Sequence, residues 1–305
     1  MEISYLATEQ VNPASAAIEE MSIAELTAYI NREDQTVAQA VAQVLPQVNC
    51  LVEEAVQCIR NQGRILYIGA GTSGRLGILD ASECPPSYGV SPDLVQGIIA
   101  GGSKAILAAQ EGAEDAELAA IEDLQAHQLC DKDIVIGLAA SGRTPYVLSG
   151  LAYATKIGAK TGAISCVKGA ALSAEAEIAI EVLVGPEVVA GSSRMKAGTA
   201  QKLILNMIST ATMIQLGKVY KGYMVDVQPT NAKLVTRAKH IIQKTTGCSA
   251  TEAEEVFIKS KQQVKKAILM QLGQLSLAEA EILLEQYQDN IVLVIAALKK
   301  ADREV

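Results

Sequence analysis

Apolar positions recur at helical spacing in the first part of the chain and then give way to short apolar runs. Val37, Val41, Val44, Leu45, Val48, Val52, Val56 and Ile59 fall on roughly one face of a helix. Ser22 followed by Glu25 has the form of a capping box at a helix start. Pro46 is a candidate kink within this stretch. The spacing therefore predicts helix over residues 14–61. Beyond it, apolar runs at 64–68, 94–99, 133–138, 160–166 and 178–184 read as strands. The segments between them, including 74–81, 104–127 and 145–157, read as helices. Alternation of this kind predicts an α/β fold with a doubly wound, parallel, five-stranded sheet. A long amphipathic helix at about 196–219 closes it.

From about residue 239 no strand pattern is evident. Two helical stretches, 250–272 and 277–299, each begin near a hydroxyl residue followed by acids, with Ser249 or Thr251 and Ser276 as candidate N-caps. They read either as an internal repeat or as two ordinary helical hairpins. The expected organisation is an N-terminal helical segment (1–54), the α/β domain (55–238) and a small helical domain (239–305).

Composition narrows the picture. The chain has 305 residues, half of them hydrophobic, with no Trp and one Phe. The core must therefore be aliphatic, as suits a parallel sheet covered on both faces. A net charge of −8 argues against a nucleic-acid surface, which needs a basic stripe. The six cysteines form no C-x-x-C pair and have no nearby histidine at ligand spacing, so they read as reduced thiols. The N-terminal sequence has no secretory pattern, and no uncharged apolar run reaches membrane-spanning length. The expectation is a cytoplasmic protein.

Three loops carry the chemistry. The first is Gly69-Ala70-Gly71-Thr72-Ser73-Gly74, directly after a strand. It matches a dinucleotide fingerprint, but the next strand ends in Ala100-Gly101-Gly102, without the acid that would hold a ribose. Adjacent hydroxyls at a helix N-terminus favour a phosphate monoester over a dinucleotide. The second loop, Ser141-Gly142-Arg143-Thr144 before Pro145, repeats this construction after another strand. Each loop alone reads equally well as a tight turn; the pair favours an anion site. The third places Ser193, Arg194 and Lys196 at the start of the long helix. Cations are unfavourable at a helix N-terminus unless an anion is close. Both histidines, His127 and His240, lie outside these loops, and no metal-ligand cluster is present. Proton transfer thus falls to carboxylate, Tyr or Lys. Glu83, beside Pro85-Pro86, and Glu114, in Glu111-Gly112-Ala113-Glu114-Asp115, are candidates; acids in a first helical turn are also common for dipole reasons alone.

The segments GAGTSGRLG–LDASECPP, EGAED, LAASGRTPYV, GPEVVAGSSRMKAGTAQKLILNMIST and KVYKGYMVDVQPTNAKL closely resemble bacterial N-acetylmuramic acid 6-phosphate etherases. The resemblance runs from about residue 10 to 300, with small departures at Ser87-Tyr88, Ser192-Ser193, Met195 and Glu117. It implies a sugar-isomerase (SIS) fold and a cytoplasmic homodimer. The reaction it implies is a lyase-type ether cleavage giving N-acetylglucosamine 6-phosphate and D-lactate, without metal or cofactor. By similarity Glu114 is the base and Glu83 the acid. Thr72, Ser73, Ser141 and Thr144 would grip the 6-phosphate, with Gly71, Gly142 and Arg143 also substrate-binding. Ser193, Arg194 and Lys196 would meet the phosphate or the lactyl carboxylate. An aldose–ketose isomerase would share the loops and a carboxylate base. A non-catalytic sugar-phosphate sensor would share the fold, as the vertebrate glucokinase regulatory protein does.

Overall fold

The computed structural model describes residues 8–15, 17–229 and 231–301. They form two compact units. The first comprises the described residues up to Ser82 with Pro92–Ser209; the second comprises Glu83–Ser91 with the described residues from Thr210 onward.

The first unit opens with α1 (Ile23–Ala42) and α2 (Leu45–Arg60). The capping box forms: Ser22 N donates to Glu25 Oε2 (2.8 Å), and Glu25 N donates to Ser22 Oγ (3.4 Å). The pattern predicts one helix kinked at Pro46, but the structure has two. Val44 leaves the helical region (φ −108°, ψ 8°), and Pro46 sits in the first turn of α2. There its missing N–H has no partner to lose, so the proline starts a helix instead of bending one. α2 buries Val48, Leu51, Ala55, Val56 and Cys58. Burial, with Asp133 nearby, pushes the Cys58 thiol up to about 12, so this cysteine packs as an inert group.

Five strands follow in the expected places: β1 (Ile65–Gly69), β2 (Val95–Ile99), β3 (Ile134–Leu138), β4 (Lys160–Ser165) and β5 (Ile178–Glu181). All are parallel, in the order β2-β1-β3-β4-β5. β1 and β3 are buried at every position, which is why they read as unbroken apolar runs. The strand order reverses at β1, whose neighbours are β2 and β3. Their ladder sets Gly69 opposite Leu138, so two loops leave the sheet side by side at the switch point where such sheets bind ligands.

The covering helices are α3 (Gly71–Tyr88), α4 (Lys104–Leu107), α5 (Glu117–Ala126), α6 (Pro145–Ile157), α7 (Ala171–Glu175) and α8 (Lys196–Gln215). Two expectations need revision. α3 runs on through Pro85 and Pro86 to Tyr88, so Glu83 lies inside a helix and not after one. The stretch 104–127 is not one helix but α4, a 3-10 turn at Ala113–Asp115, and α5.

The second unit contains a small hairpin, β6 (Val219–Tyr220) and β7 (Tyr223–Met224), then α9 (Ala232–Thr246), α10 (Ala250–Lys259), α11 (Val264–Gly273), α12 (Leu277–Gln286) and α13 (Ile291–Ala301). The sequence reading missed the hairpin. Its signal is Lys221-Gly222, both at positive φ (49° and 78°), the geometry a two-residue hairpin turn requires. Val225, Val227, Ile241, Ile242, Phe257, Ile268, Ile291 and Val294 share one core.

Within this unit α10–α11 and α12–α13 are two copies of one motif. Each begins with a serine capping box, Ser249 with Glu252 and Ser276 with Glu279. Each first helix ends in two successive left-handed residues, Lys261-Gln262 and Gln288-Asp289. The turn of the second copy is clamped. Lys265 Nζ, almost fully buried, donates to Asp289 O (2.9 Å) and Oδ2 (2.8 Å) and pairs with Asp226 Oδ2 (2.6 Å). Lys218 joins both aspartates, at 2.7 and 3.1 Å. Among the described residues no single helix is long and apolar enough to cross a membrane.

Loss of either capping serine removes one acceptor for an orphan helix N–H. Ser249→Ala and Ser276→Ala should each lower unfolding free energy by about 1 kcal/mol, read from urea titrations followed by circular dichroism. A change indistinguishable from zero in both would remove the caps as determinants of this unit.

Candidate functional site

The first loop begins where β1 ends. Gly69 and Gly74 stand back to back: a Cβ on Gly69 would lie 2.8 Å from Gly74 N, and one on Gly74 would lie 2.7 Å from Gly69 O. Two of the motif's glycines thus allow close strand-to-helix packing, which any ligand chemistry at this loop would share. Gly71 opens α3 at φ 53°. Thr72 is half-buried, and Ser73 is buried with its hydroxyl donating to Gln201 Oε1 at 2.8 Å.

The second loop leaves the adjacent strand, β3. Gly142 is left-handed (φ 66°), and a Cβ there would sit 2.4 Å from the Cβ of Ala170. Its carbonyl accepts from Leu172 N at 2.9 Å, tying the loop to α7. Thr144 caps α6 by position, but its hydroxyl makes no capping bond. Ser141, Arg143 and Thr144 are half-buried. α7 is itself held by Glu181, whose carboxylate accepts from Gly169 N (2.9 Å), Ala170 N (3.0 Å) and Ser173 Oγ (2.6 Å). Partial burial pushes this carboxyl up, but the bonds from Ser173, Gly169 and Ala170 outweigh it and hold it below its ordinary range.

In the third loop the anion demanded by two cations at a helix start comes from the chain itself. Glu187, fully buried, accepts from Lys196 N (2.8 Å) and Ala197 N (3.0 Å), capping α8 from outside the helix. Lys196 is 3% exposed, and its ammonium pairs with Glu33 Oε2 at 2.7 Å. Glu33 also accepts from Asn12 Nδ2 at 3.0 Å. Lys196 is therefore engaged internally. Ser193 is half-buried and Arg194 exposed. This loop approaches the first, since a Cβ on Gly198 would lie 3.5 Å from both Thr72 Cγ2 and Ser193 O.

A cleft of about 210 Å³ is lined by Gly71, Arg75, Gln110, Glu111, Gly112 and Glu114 among others. Glu114 thus shares a cleft with the glycine loop. It rides on the 3-10 turn entered through Gly112 (φ 73°) and is exposed. Glu83 is also exposed, on α3; it belongs to the second unit. One turn before it stands Asp80, which sequence reading passed over. Asp80 is buried and accepts from Tyr67 Oη (3.1 Å), Asn206 Nδ2 (2.6 Å) and Ser209 Oγ (3.0 Å), fastening α3 to α8. Burial raises its carboxyl above the usual range despite these donors.

Comparison with known proteins agrees in sequence over nearly the full length. The chain is 52% identical over 290 residues to the N-acetylmuramic acid 6-phosphate etherase of Histophilus somni, covering 95% of this chain and 96% of that one. It is 57% identical over 270 residues to the etherase of Clostridium botulinum, covering 88% and 90%. The chain belongs to the N-acetylmuramic acid 6-phosphate etherase family. Within this chain, residues 47–155 match the glucokinase regulatory protein N-terminal SIS domain, and residues 221–267 match the C-terminal lid domain of glucokinase regulatory protein. The first match spans Glu83, Glu114 and both hydroxyl loops.

Two consequences can be measured. Glu33→Ala leaves the Lys196 charge buried without a partner and should cost about 3 kcal/mol of stability, most of it regained in Glu33→Ala/Lys196→Met; urea titration decides, and a neutral single variant would reject the pairing. Glu181 has a folded pKa depressed below its unfolded value. Its contribution is present above the unfolded carboxyl pKa of about 4.3 and is lost as pH falls through the folded value. Glu181→Gln should therefore flatten the acid limb of stability against pH. An unchanged slope below pH ~5 would contradict this.

Proposed function

We propose that this chain cleaves the D-lactyl ether of N-acetylmuramic acid 6-phosphate, with water, to N-acetylglucosamine 6-phosphate and D-lactate, as a lyase in the recycling of cell-wall sugar. What carries the reading is identity of 52% and 57% with etherases over most of both chains, with Glu83, Glu114 and both loops present in this sequence.

An unactivated ether leaves poorly, so direct hydrolysis is slow. The lactyl ether lies at C3, β to the masked aldehyde. In the open-chain sugar the C2 proton is α to a carbonyl and can be removed. Glu114 takes that proton, and the electron pair forms the C2–C3 double bond as the C3–O bond breaks. Glu83 protonates the departing lactate oxygen. Water then adds at C3 of the unsaturated aldehyde and a proton returns to C2. One base and one acid must hold opposite protonation states at the outset. Thr72, Ser73, Ser141 and Thr144, with the backbone of Gly71, Gly142 and Arg143, grip the 6-phosphate at two neighbouring helix starts. Ser193 and Arg194 meet the phosphate or the lactyl carboxylate, the latter suited to a guanidinium fork. Lys196, whose charge Glu33 neutralises, anchors the start of the helix that carries this loop. The protein acts as a homodimer in the cytoplasm.

Turnover is read by enzymatic assay of D-lactate. Glu83→Ala and Glu114→Ala should each lower it by about 10²–10⁴-fold while leaving N-acetylglucosamine 6-phosphate binding largely intact. In D₂O the product should carry deuterium at C2, and Glu114→Ala should slow its incorporation in step with lactate release. Binding of sugar phosphate without any lactate release from the wild-type protein would replace the etherase reading with that of a sensor.

A further inference from the structure

Gln201 stands behind the first loop with its side-chain amide half satisfied. It lies on α8 and is 1% exposed. Oε1 accepts the Ser73 hydroxyl proton at 2.8 Å, whereas Nε2 is buried without a hydrogen-bond partner. A buried donor with no acceptor is costly, and folded proteins retain very few. A half-turn of the carboxamide exchanges its oxygen and nitrogen with almost no change of shape. The two orientations differ in what they leave Ser73 to offer. With the oxygen facing it, the serine's only proton is committed and a ligand meets lone pairs. With the nitrogen facing it, Ser73 accepts from Gln201 and its own proton is free.

A phosphate monoester dianion has only acceptors on its free oxygens. A serine whose proton is already committed cannot serve it. We infer that Gln201 is a positioning residue for the anion loop: with ligand bound, Nε2 donates to Ser73 Oγ and Ser73 donates to a phosphate oxygen. The chain Nε2–H to Oγ–H to phosphate runs head to tail, so each bond strengthens the next. It also gives the buried nitrogen an acceptor, and the unpaired end of the amide becomes Oε1, a carbonyl oxygen, which folded proteins leave under-satisfied more readily than an N–H. The Thr72 methyl lies beside α8 at Gly198. The inference rests on the phosphate-site reading above and adds a residue to it.

The test uses the full chain and N-acetylglucosamine 6-phosphate as calorimetric probe. Ionised, the carboxylate of Gln201→Glu only accepts, so it holds the Ser73 proton away from the ligand. Its dissociation constant and KM should rise about 10- to 100-fold, with kcat little changed. In a Ser73→Ala background the same substitution should cost less than it does alone, leaving only the carboxylate's repulsion of the phosphate. Wild-type affinity in Gln201→Glu, or losses that add in the double variant, would overturn the inference while leaving the phosphate site standing. Failure of the wild-type protein to bind any sugar phosphate would overturn both. Should the glutamate variant not fold, a neutron crystal structure of the wild-type protein with the same ligand decides. Deuterium on Nε2 directed at Ser73 Oγ is expected; the amide oxygen facing Ser73 would refute the proposal.

Discussion

The hydrogen-bonded ladder between β1 and β3 is the constraint on which the site depends. It brings together two strands that are separated in sequence by β2 and its helices, and it fixes Gly69 opposite Leu138. Both loops then begin at the same height on the same edge of the sheet. A shift of one residue in this register would turn the fully buried faces of both strands and carry one loop away from the other. Fully buried apolar strands make such a shift expensive. The adjacency of the loops is thus maintained by the core and not by contacts within the loops.

Around that frame, acidic residues act mainly as fasteners. Glu187 caps α8, Glu181 caps α7, and Asp80 ties α3 to α8. Glu33 neutralises Lys196. In each case a carboxylate in the first unit supplies acceptors to backbone amides, hydroxyls or an ammonium, most of them at least partly buried. An acidic protein can hold an anion site in this way, because these charges are consumed by helix starts and cations and are not arrayed against the ligand.

How much of this could be read from the sequence depends on the range of the interaction. The strands were legible because each is a short, largely apolar run bounded by glycine or polar residues; Ile134–Leu138 sits inside the range expected. The loops were legible because glycine spacing and hydroxyls are local features. The fate of Lys196 was not. Its position called for an anion, but nothing nearby in sequence says that Glu33 supplies it. The Ser73–Gln201 contact spans 128 residues, and no periodicity reports such a pairing. Two stretches with prolines depart from the expectation: Pro46 starts a helix instead of kinking one, and α3 runs past residue 81 through Pro85-Pro86. Each interior proline removes one helical hydrogen bond and crowds the carbonyl four residues back, yet α3 continues through both to Tyr88. Whether 250–299 held a repeat was open in sequence because its two copies share punctuation more than side chains.

That punctuation bears on the unfolded chain. Lys261, Gln262, Gln288 and Asp289 occupy left-handed corners without being glycine, as do Gln62, Gln128, Lys221 and Gln274 elsewhere in the described residues. Glycine would sit in each corner without steric strain, but it would also give the denatured polypeptide more conformations to abandon on folding. By retaining a Cβ at these corners the chain accepts local torsional cost in its native form and keeps its disordered ensemble narrower. Such corners therefore exert part of their influence before any tertiary contact exists.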